Sequence, residues 1–559
     1  MKKVIVILII FSLMFISFFI FKKDEEKINK NISVILETEE GNIETNTFPS
    51  KNDYEYLSTE CKNTEDNINT TFNDETWKLN LNVEEERIDG KFNCTVHFKE
   101  NIKPNEPVLD ESMVPVYYSE EESVWKVADK ENKSTEHKWY DYEEKMWANS
   151  VTVKSEKREE YKNGSLGKKI KMEDILTMQV WIPRYKYKVW NYNLDGTKTS
   201  EPQEIEIKFE KGTKTTGEIK CTDNIQGESG DGTSEVCTIN NEECSDSLCN
   251  NKYYTHPAFT FGSEKLTGFW VGKFEVSSDI DCIPNLNSTV GNGCNLTTIN
   301  PLVKPQITSW RGAQVSVYEN NIMKMNDNGN IYGFSSNVDT HMIKNIEWGA
   351  VAYLSHSKYG TCKDGTCEEI SMNSTTNFIT GCGMQGENIY TAGEICNSYN
   401  TQLGMNSSTT KNIYGAYDMN GGSYEYVMGD LNSIINGEKL VGYAPAYGSG
   451  YTGVVYNAGT YIDFSGTYNY PENKYIDIYT FNENVSNLKL SKLGDAIKEF
   501  RNKEDRSWYN DYNNIINSNN MWFLRGGRNA NGGGNGIFAS NVTHGGGHQN
   551  NSTRLIIVL

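Results

Sequence analysis

The stretch that decides how this chain folds is its end, WFLRGGRNANGGGNGIFASNVTHGGGHQNNSTRLIIVL, from Trp522 to Leu559. Two apolar runs, FLRGG and RLIIVL, flank a middle that is rich in glycine and asparagine. Apolar runs bounded by glycine and asparagine are typical of β-strands joined by loops. We therefore predict that FLRGG and RLIIVL are paired strands, with a short strand at Ile537 and Phe538 between them.

Length and charge limit what the whole chain can be. A chain of 559 residues is too long for one ordinary core, so two to four domains are expected. Aromatic residues make up 12% of the sequence, which is more than disordered segments usually carry. The formal net charge of -21 argues against a nucleic-acid partner, because phosphate backbones are bound by clustered lysine and arginine.

The first residues contain an apolar run from Val4 to Phe21. Such a run forms a helix of about 27 Å, which just spans a bilayer. It predicts an uncleaved signal anchor, with a cleavable signal peptide as the alternative. The expected location is the cell membrane, in a single pass, with the later residues outside the cell.

The 12 cysteines lie in close pairs along the sequence. Close pairs predict local disulfides in an oxidising space, and the alternative of zinc is weaker because there is no CxxC motif and only 7 histidines are present. The candidate disulfides are Cys61 with Cys94, Cys221 with Cys237, Cys244 with Cys249, Cys282 with Cys294, Cys362 with Cys367 and Cys382 with Cys396.

Changes in composition divide the chain into four predicted parts. Residues 1–30 are the signal anchor and a juxtamembrane spacer, and 31–104 are a small disulfide-stapled β module. Residues 105–171 are an aromatic-rich β segment and linker. Residues 172–559 form the main domain, with an insertion at about 201–252. Two amphipathic helices are predicted in it, one from Asn345 to Gly360 and one at about 486–500.

Four stretches in order resemble the formylglycine-generating-enzyme, or sulfatase-modifying-factor, family: FWVGKFEVS at 269–277, IEWGAVAYLSHSKYG at 346–360, YGAYDMNGGSYEYVMGD at 414–430, and FLRGGR followed by STRLIIVL. The resemblance implies an α+β fold in which residues 172–559 form an irregular C-type-lectin-like domain, preceded by the small all-β modules and the transmembrane helix. The layout also resembles anchored surface proteins of gut-type Gram-positive bacteria.

The sequence departs from this family where its catalysis resides. The active oxidases need a cysteine pair in the C-terminal part of the domain, whereas the last cysteine here is Cys396. A thiolate copper site cannot form there. Iron-dependent relatives use a histidine cluster in a preceding helical domain, and the N-terminal half of this chain is β-like. We therefore expect a non-catalytic member with no cofactor.

The central motif places Glu425 between two tyrosines, beside several glycines. A buried carboxylate needs donors, which Arg525 or Arg554 can supply, so a structural ion pair is the favoured interpretation. The alternative is an enzyme that uses Glu425 with Asp418, for example on carbohydrates. His544 and His548 share a glycine-rich loop, but two histidines without a carboxylate are a weak case for a metal, and none is expected.

The favoured function is that of a membrane-anchored adhesin or receptor that binds an extracellular protein or glycan with its C-terminal loops. The alternatives are a divergent enzyme of the resembled family, a carbohydrate-active enzyme, and a phage-type receptor-binding protein. A narrower hypothesis is that these loops are diversified, because the stretch resembles lectin-fold proteins whose C-terminal stretch, ending in a short RL-type strand, is varied by mutagenesis at adenines, of which asparagine codons are frequent products. The alternative is that a low-GC genome enriches asparagine throughout the chain. The predicted ligand-binding residues are Arg528, Asn529, Asn531, Asn535, Phe538, Asn541, His544, His548, Gln549 and Asn550.

Overall fold

A computed structural model of the protein divides the chain into two compact units, Met1–Lys103 and Pro104–Leu559. The residues that the structure describes are 30–37, 44–45, 48–49, 51, 54–62, 69–82, 91–100, 102–192, 199–222, 235–280, 294–384, 393–432, 434–435, 438–443, 448–457, 459–480, 491–503, 505–517, 519–530 and 532–559.

The first unit contains two three-stranded antiparallel sheets. In one, Lys91–Glu100 lies between Lys30–Glu37 and Tyr54–Lys62; in the other, Lys78–Asn82 lies between Glu44–Thr45 and Asn69–Asn73. Phe98 is fully buried in the core, where the rings of Phe72 and Trp77 pack edge-on against each other. Since so small a core buries little apolar surface, aromatic packing and a covalent link are what one expects to stabilise it.

The second unit is built on a seven-stranded sheet. Its strands in spatial order are Asp339–Met342, Leu555–Val558, Gly268–Gly272, Ile175–Pro183, Asn149–Val153, Val114–Ser119 and Val124–Val127. Every residue of Ile175–Pro183 is buried, as expected for a central strand covered on both faces. Three of the strands come from residues 105–171, so this aromatic-rich segment shares its sheet with residues 172–559.

The second large sheet of this unit carries the candidate site. Its path is Asp477–Thr480, Tyr424–Asn432, Trp522–Gly526 and Gly536–Thr543, and Asn551–Thr553 also pairs with Tyr424–Asn432. A four-stranded sheet consists of Ile434–Ile435, Glu438–Tyr443, Gly453–Asn457 and Thr460–Phe464.

Smaller sheets complete the described part of this unit. Two have three strands, in the order Ile207–Phe209, Tyr185–Lys188, Tyr253–Thr255 and in the order Lys220–Thr222, Val236–Ile239, Glu242–Glu243. The two-stranded pairs are Thr260–Phe261 with Glu264–Lys265, Ser277–Ser278 with Pro301–Leu302, Cys382–Gly383 with Asn397–Ser398, and Arg501–Lys503 with Arg506–Ser507.

Helices are short and few in the described ranges: Ser155–Lys162, Asp246–Cys249, Val315–Met323, Asn345–Ser355 and Gln402–Met405. The helix predicted from Asn345 to Gly360 is present as Asn345–Ser355, with Lys344 rather than Asn345 at its N-cap, and all its residues are buried. The helix predicted at about 486–500 is wrong for 491–500, which form buried turns. Gly494 has a φ of +92°, and the Asp495 carboxylate accepts the backbone N–H groups of Lys492 and Ile497, so side-chain bonds replace a helical ladder.

Two predictions about fold and location are corrected. The fold class is mainly β, with 38% strand and 13% helix distributed over mostly small sheets, rather than the α+β lectin-like fold that the resemblance implied. None of the helices in the described ranges has the length and apolar character that crossing a membrane requires. The predicted N-terminal transmembrane helix and the single-pass membrane location are therefore not supported by the structure. The run from Val4 to Phe21 itself lies outside the described residues.

The closing stretch forms strands, but they do not pair as predicted. Trp522–Gly526 pairs with Tyr424–Asn432 and with Gly536–Thr543, which includes the short strand expected at Ile537 and Phe538. Leu555–Val558 instead joins the seven-stranded sheet, between Gly268–Gly272 and Asp339–Met342. Proximity in sequence suggested a local pair, whereas the apolar ends are buried in two different sheets.

The disulfides follow the predicted pairing: Cys61–Cys94, Cys221–Cys237, Cys244–Cys249, Cys362–Cys367 and Cys382–Cys396 are bonded. Cys294 is also disulfide-bonded, and its predicted partner Cys282 lies outside the described residues. In the first unit, Cys61 and Cys94 occupy directly opposed positions of neighbouring strands.

Replacing Cys61 and Cys94 together by serine is expected to lower the free energy of unfolding of the first unit by about 3–4 kcal/mol, because the bridge spans a sequence separation of 33. Hydrogen exchange followed by mass spectrometry would show faster exchange in peptides of that unit. The matched control replaces Cys382 and Cys396, in the second unit, and should leave the first unit protected. Equal protection in both variants would contradict the expected role of the bridge.

Candidate functional site

A buried ion pair joins the last strands to the middle of the chain. The Arg554 guanidinium donates from Nε to Glu425 Oε2 at 2.9 Å and from Nη2 to Oε1 at 2.5 Å, and both side chains are fully buried. It also donates to the carbonyl oxygens of Gly272 and Tyr417, each at 2.8 Å. Arg554 is thus the arginine that partners Glu425, as the favoured interpretation required.

Arg525, the other arginine considered for Glu425, has different acceptors. Its guanidinium donates to Asn345 Oδ1 at 3.2 Å and to the carbonyl oxygens of Asp495 and Ala496 at 3.2 and 3.1 Å. It therefore fixes the buried turns at 491–500 against the start of a helix. Burial lowers the pKa of Arg525 to about 10.

Two further carboxyl groups lie beside the Glu425–Arg554 pair. Burial raises the pKa of Glu425 to about 7 and also raises the pKa values of Glu275 and Asp418. Asp418 accepts hydrogen bonds from Asn373 Nδ2 and from the Gly381 N–H. Asp418 and Glu425 therefore belong to a buried internal network.

Three of the predicted ligand-binding residues are structural. Asn529 is buried and donates from Nδ2 to the Thr375 carbonyl at 2.6 Å. Asn535 is buried too, and its Oδ1 accepts the Arg528 N–H at 2.9 Å. The ring of Phe538 stacks on Phe500, with 4.2 Å between centroids. These contacts hold the glycine-rich segment in shape.

The other described members lie at least partly at the surface. We call them the C-terminal surface: Arg528, Asn541, His544, His548, Gln549 and Asn550. Asn531 lies outside the described residues. Burial lowers the pKa of His548, and the charges of Arg528 and His544 lower it further. Through their Nδ1 atoms, His544 and His548 accept the backbone N–H groups of Gly546 and Asn550.

A cleft of about 200 Å³, the C-terminal cleft, lies beside the glycine-rich segment. Its lining residues are Glu369, Ile370, Ser371, Met372, Asn420, Tyr509, Gly532, Gly533 and Asn535. Tyr509 and Asn510 have φ values of 60° and 73°. Two consecutive non-glycine residues in the left-handed region are strained, and such strain is concentrated at functional sites. Burial raises the pKa of Glu369 to about 8.

Sequence reasoning did not identify Arg311, Glu369 and Tyr509. The Arg311 guanidinium lies 3.9 Å from the centre of the Phe378 ring and donates at 2.5 Å to the carbonyl of Gln549. Arg311 and Glu369 are distant in sequence from the closing stretch, Tyr509 lies shortly before it, and no local pattern marks any of the three.

Two groups of residues in the described ranges have ligand atoms close enough to hold a metal ion: His356 with Cys362 and Cys367, and Glu235 with Cys221 and Cys237. The cysteines of both groups are in disulfides. Because metals bind the thiolate, neither group offers a metal its sulfur ligands in this form.

No protein-family model matches the sequence, and no curated protein matches it. Among solved structures, Treponema denticola variable protein 1 is similar, at 11% sequence identity and a TM-score of 0.23, over 61% of this chain and 99% of that chain. A likeness at this TM-score carries no argument about fold or function. The resemblance to the formylglycine-generating-enzyme family therefore stays a prediction.

Replacing Arg554 by methionine is expected to lower the free energy of unfolding by about 3–5 kcal/mol, because it leaves the Glu425 carboxylate buried without its partner. Urea unfolding followed by circular dichroism measures this. The double variant Arg554→Met with Glu425→Gln should recover part of the loss, since no buried charge remains. A loss below about 1 kcal/mol in the single variant would contradict the role given to the pair.

Stability is expected to fall as pH rises from about 6.5 to 8. Burial raises the pKa values of Glu319 to about 8 and of Glu499 to about 7, so the folded chain binds more protons than the unfolded chain in this window. Each such carboxyl group stabilises the folded chain most at low pH. This stabilisation falls by about 1.4 kcal/mol per pH unit and is lost as the pH rises through the pKa of the group in the folded chain. A urea concentration at the midpoint of unfolding that stays constant or rises between these pH values would contradict this prediction.

Proposed function

We propose that this chain is a ligand-binding protein that recognises a protein or a glycan with its C-terminal surface and C-terminal cleft. The observation that carries the proposal is that polar side chains at partly exposed positions are held on an ordered scaffold. Arg528 follows the strand Trp522–Gly526, and Asn541 lies in the paired strand Gly536–Thr543. Polar groups that are already ordered lose little entropy on binding, so a rigid face favours recognition.

The size of the cleft indicates the kind of ligand. Its volume of about 200 Å³ is below the range of about 300–1,000 Å³ that encloses drug-sized molecules. It accommodates one side chain or one edge of a sugar ring, and the rest of the ligand would lie across the C-terminal surface. An extended ligand, such as a protein or a glycan, fits this arrangement better than a small metabolite.

The chemistry of the surface agrees with such a ligand. Arginine offers donors, and asparagine, glutamine and histidine offer both donors and acceptors, which suit hydroxyl and peptide groups. The predicted alternative of an enzyme that uses Asp418 and Glu425 is less favoured, because both carboxyl groups are buried. The alternative of a phage-type receptor-binding protein has no observation of its own in its favour.

The hypothesis of a diversified protein concerns the same segment, and the structure restricts the positions that can vary. Asn529, Asn535 and Phe538 are buried, two of them with hydrogen bonds to the backbone. Changing them would cost stability, since buried polar groups left without a partner are destabilising. We propose that variation, where it occurs, is confined to the C-terminal surface.

Binding of the full chain to a glycan and protein array would test the proposed face. The triple variant Arg528→Ala, His548→Ala and Asn550→Ala changes side chains that lie at least partly at the surface. It should lose about tenfold or more in affinity for any ligand that the unchanged chain binds.

The matched control carries alanine at three exposed positions of the same unit, Lys133, Asn163 and Lys171. It should bind as the unchanged chain does. Undiminished binding by the Arg528, His548 and Asn550 variant would refute the proposed face.

A further inference from the structure

A second and larger cavity lies in the second unit, away from the residues of the C-terminal surface and cleft. Its volume is about 510 Å³, within the range of about 300–1,000 Å³ that encloses small-molecule ligands. We call it the lysine cavity. Among its described lining residues are the basic side chains Arg184, Lys220, Lys344, Lys474 and Lys492.

The described lining of this cavity is richer in basic than in acidic side chains. The described lining has five basic side chains and two carboxylates, Glu235 and Asp477, whereas the whole chain has a formal net charge of -21. Arg184 does not count toward a free charge, because it forms a buried pair with Glu210 at 2.9 Å. The other basic side chains of the described lining are lysines.

Two of these lysines have no hydrogen-bond acceptor for their ammonium groups among the described residues. Lys344 Nζ lies 3.5 Å from the Glu347 carboxylate, and Lys474 Nζ lies 3.8 Å from the Asp339 carboxylate. N–H···O bonds are about 2.7–3.2 Å long, so both distances indicate ion pairs without a hydrogen bond. The Lys344 side chain is only 4% exposed. A buried ammonium group with unused N–H donors is costly unless something accepts them.

An aromatic ring holds the same two ammonium groups in place. Lys344 Nζ and Lys474 Nζ lie 5.4 and 5.1 Å from the centre of the Phe261 ring. The ring attracts the positive charge through its π face, but it accepts none of the three directed hydrogen bonds that each ammonium group can donate. The donors are therefore ordered and remain available to a ligand.

The rest of the lining indicates more than an inorganic ion. Ile219, Ile346 and Leu493 give the cavity apolar surface, and Thr260 and Asn473 add polar groups at exposed positions. An inorganic anion would leave the apolar surface in contact with water. A sugar-sized organic anion has both a charged group and a CH face to cover it.

We propose that the lysine cavity binds a small organic anion of sugar size, whose carboxylate accepts hydrogen bonds from Lys344 and Lys474. This site goes beyond the proposed recognition of an extended ligand and uses none of the same residues. Charge-assisted hydrogen bonds to a carboxylate are the stronger kind, and a partly dry cavity strengthens them further.

Isothermal titration calorimetry of the full chain with glucuronic acid tests the proposal, and glucose serves as the uncharged probe of similar shape. Glucuronic acid should bind and glucose should bind at least about tenfold more weakly, since it lacks the carboxylate. Lys474→Gln should weaken glucuronic acid binding by about tenfold or more. The control Lys133→Gln, whose side chain is 81% exposed, should bind as the unchanged chain does.

Lys474 is partly exposed, with 34% of its side chain accessible, so its substitution is not expected to prevent folding. A circular dichroism spectrum equal to that of the unchanged chain confirms that the loss is local. The proposal is overturned if glucuronic acid does not bind, if glucose binds equally well, or if Lys474→Gln keeps full affinity.

The triple variant Arg528→Ala, His548→Ala and Asn550→Ala separates this site from the C-terminal surface. It should keep its affinity for glucuronic acid, even if it loses its array ligand. A parallel loss of both would show that glucuronic acid binds at the C-terminal surface, and that result would also overturn the proposal.

Discussion

The buried contact between Arg554 and Glu425 is the interaction on which the second unit depends. Arg554 is the single residue between Asn551–Thr553, which pairs in the five-stranded sheet, and Leu555–Val558, which pairs in the seven-stranded sheet. Its guanidinium contacts Glu425 in the former sheet and the Gly272 carbonyl at the end of a strand in the latter. One side chain therefore links the two large sheets at the point where the chain passes from one to the other.

This link explains how a segment rich in glycine and asparagine is ordered. Both ends of the segment are fixed, one by the strand Trp522–Gly526 and the other by Arg554. Within it, Asn529 and Asn535 bond to the backbone, and Phe538 packs on Phe500. The conformational freedom that glycine brings is lost on folding, so these contacts must offset its cost. The side chains that remain partly exposed are consequently presented at fixed positions.

Local patterns predicted part of this arrangement. A helix at Asn345–Ser355 and five of the six cysteine pairs were predicted correctly, because a periodic apolar face and short sequence separations are local signals. The turns at 491–500 read as a helix, because the spacing of apolar residues does not reveal that Asp495 captures backbone N–H groups. Strand partners far apart in sequence could not be assigned, and composition does not distinguish a buried asparagine from an exposed one.

The Glu425–Arg554 pair and the lysine cavity differ in one respect: whether the N–H donors of the buried cation already have acceptors. This difference distinguishes a structural charge from a charge that is available to a ligand. Arg554 has charged and carbonyl acceptors for its donors, so removing it is expected to destabilise the fold, and a ligand would find no unused donor there. Lys344 is also buried, but an aromatic ring and a distant carboxylate leave its donors unused. Burial alone therefore does not mark a residue as structural. A buried cation can bind an anionic ligand when its neighbours provide negative charge but leave its N–H donors without an acceptor.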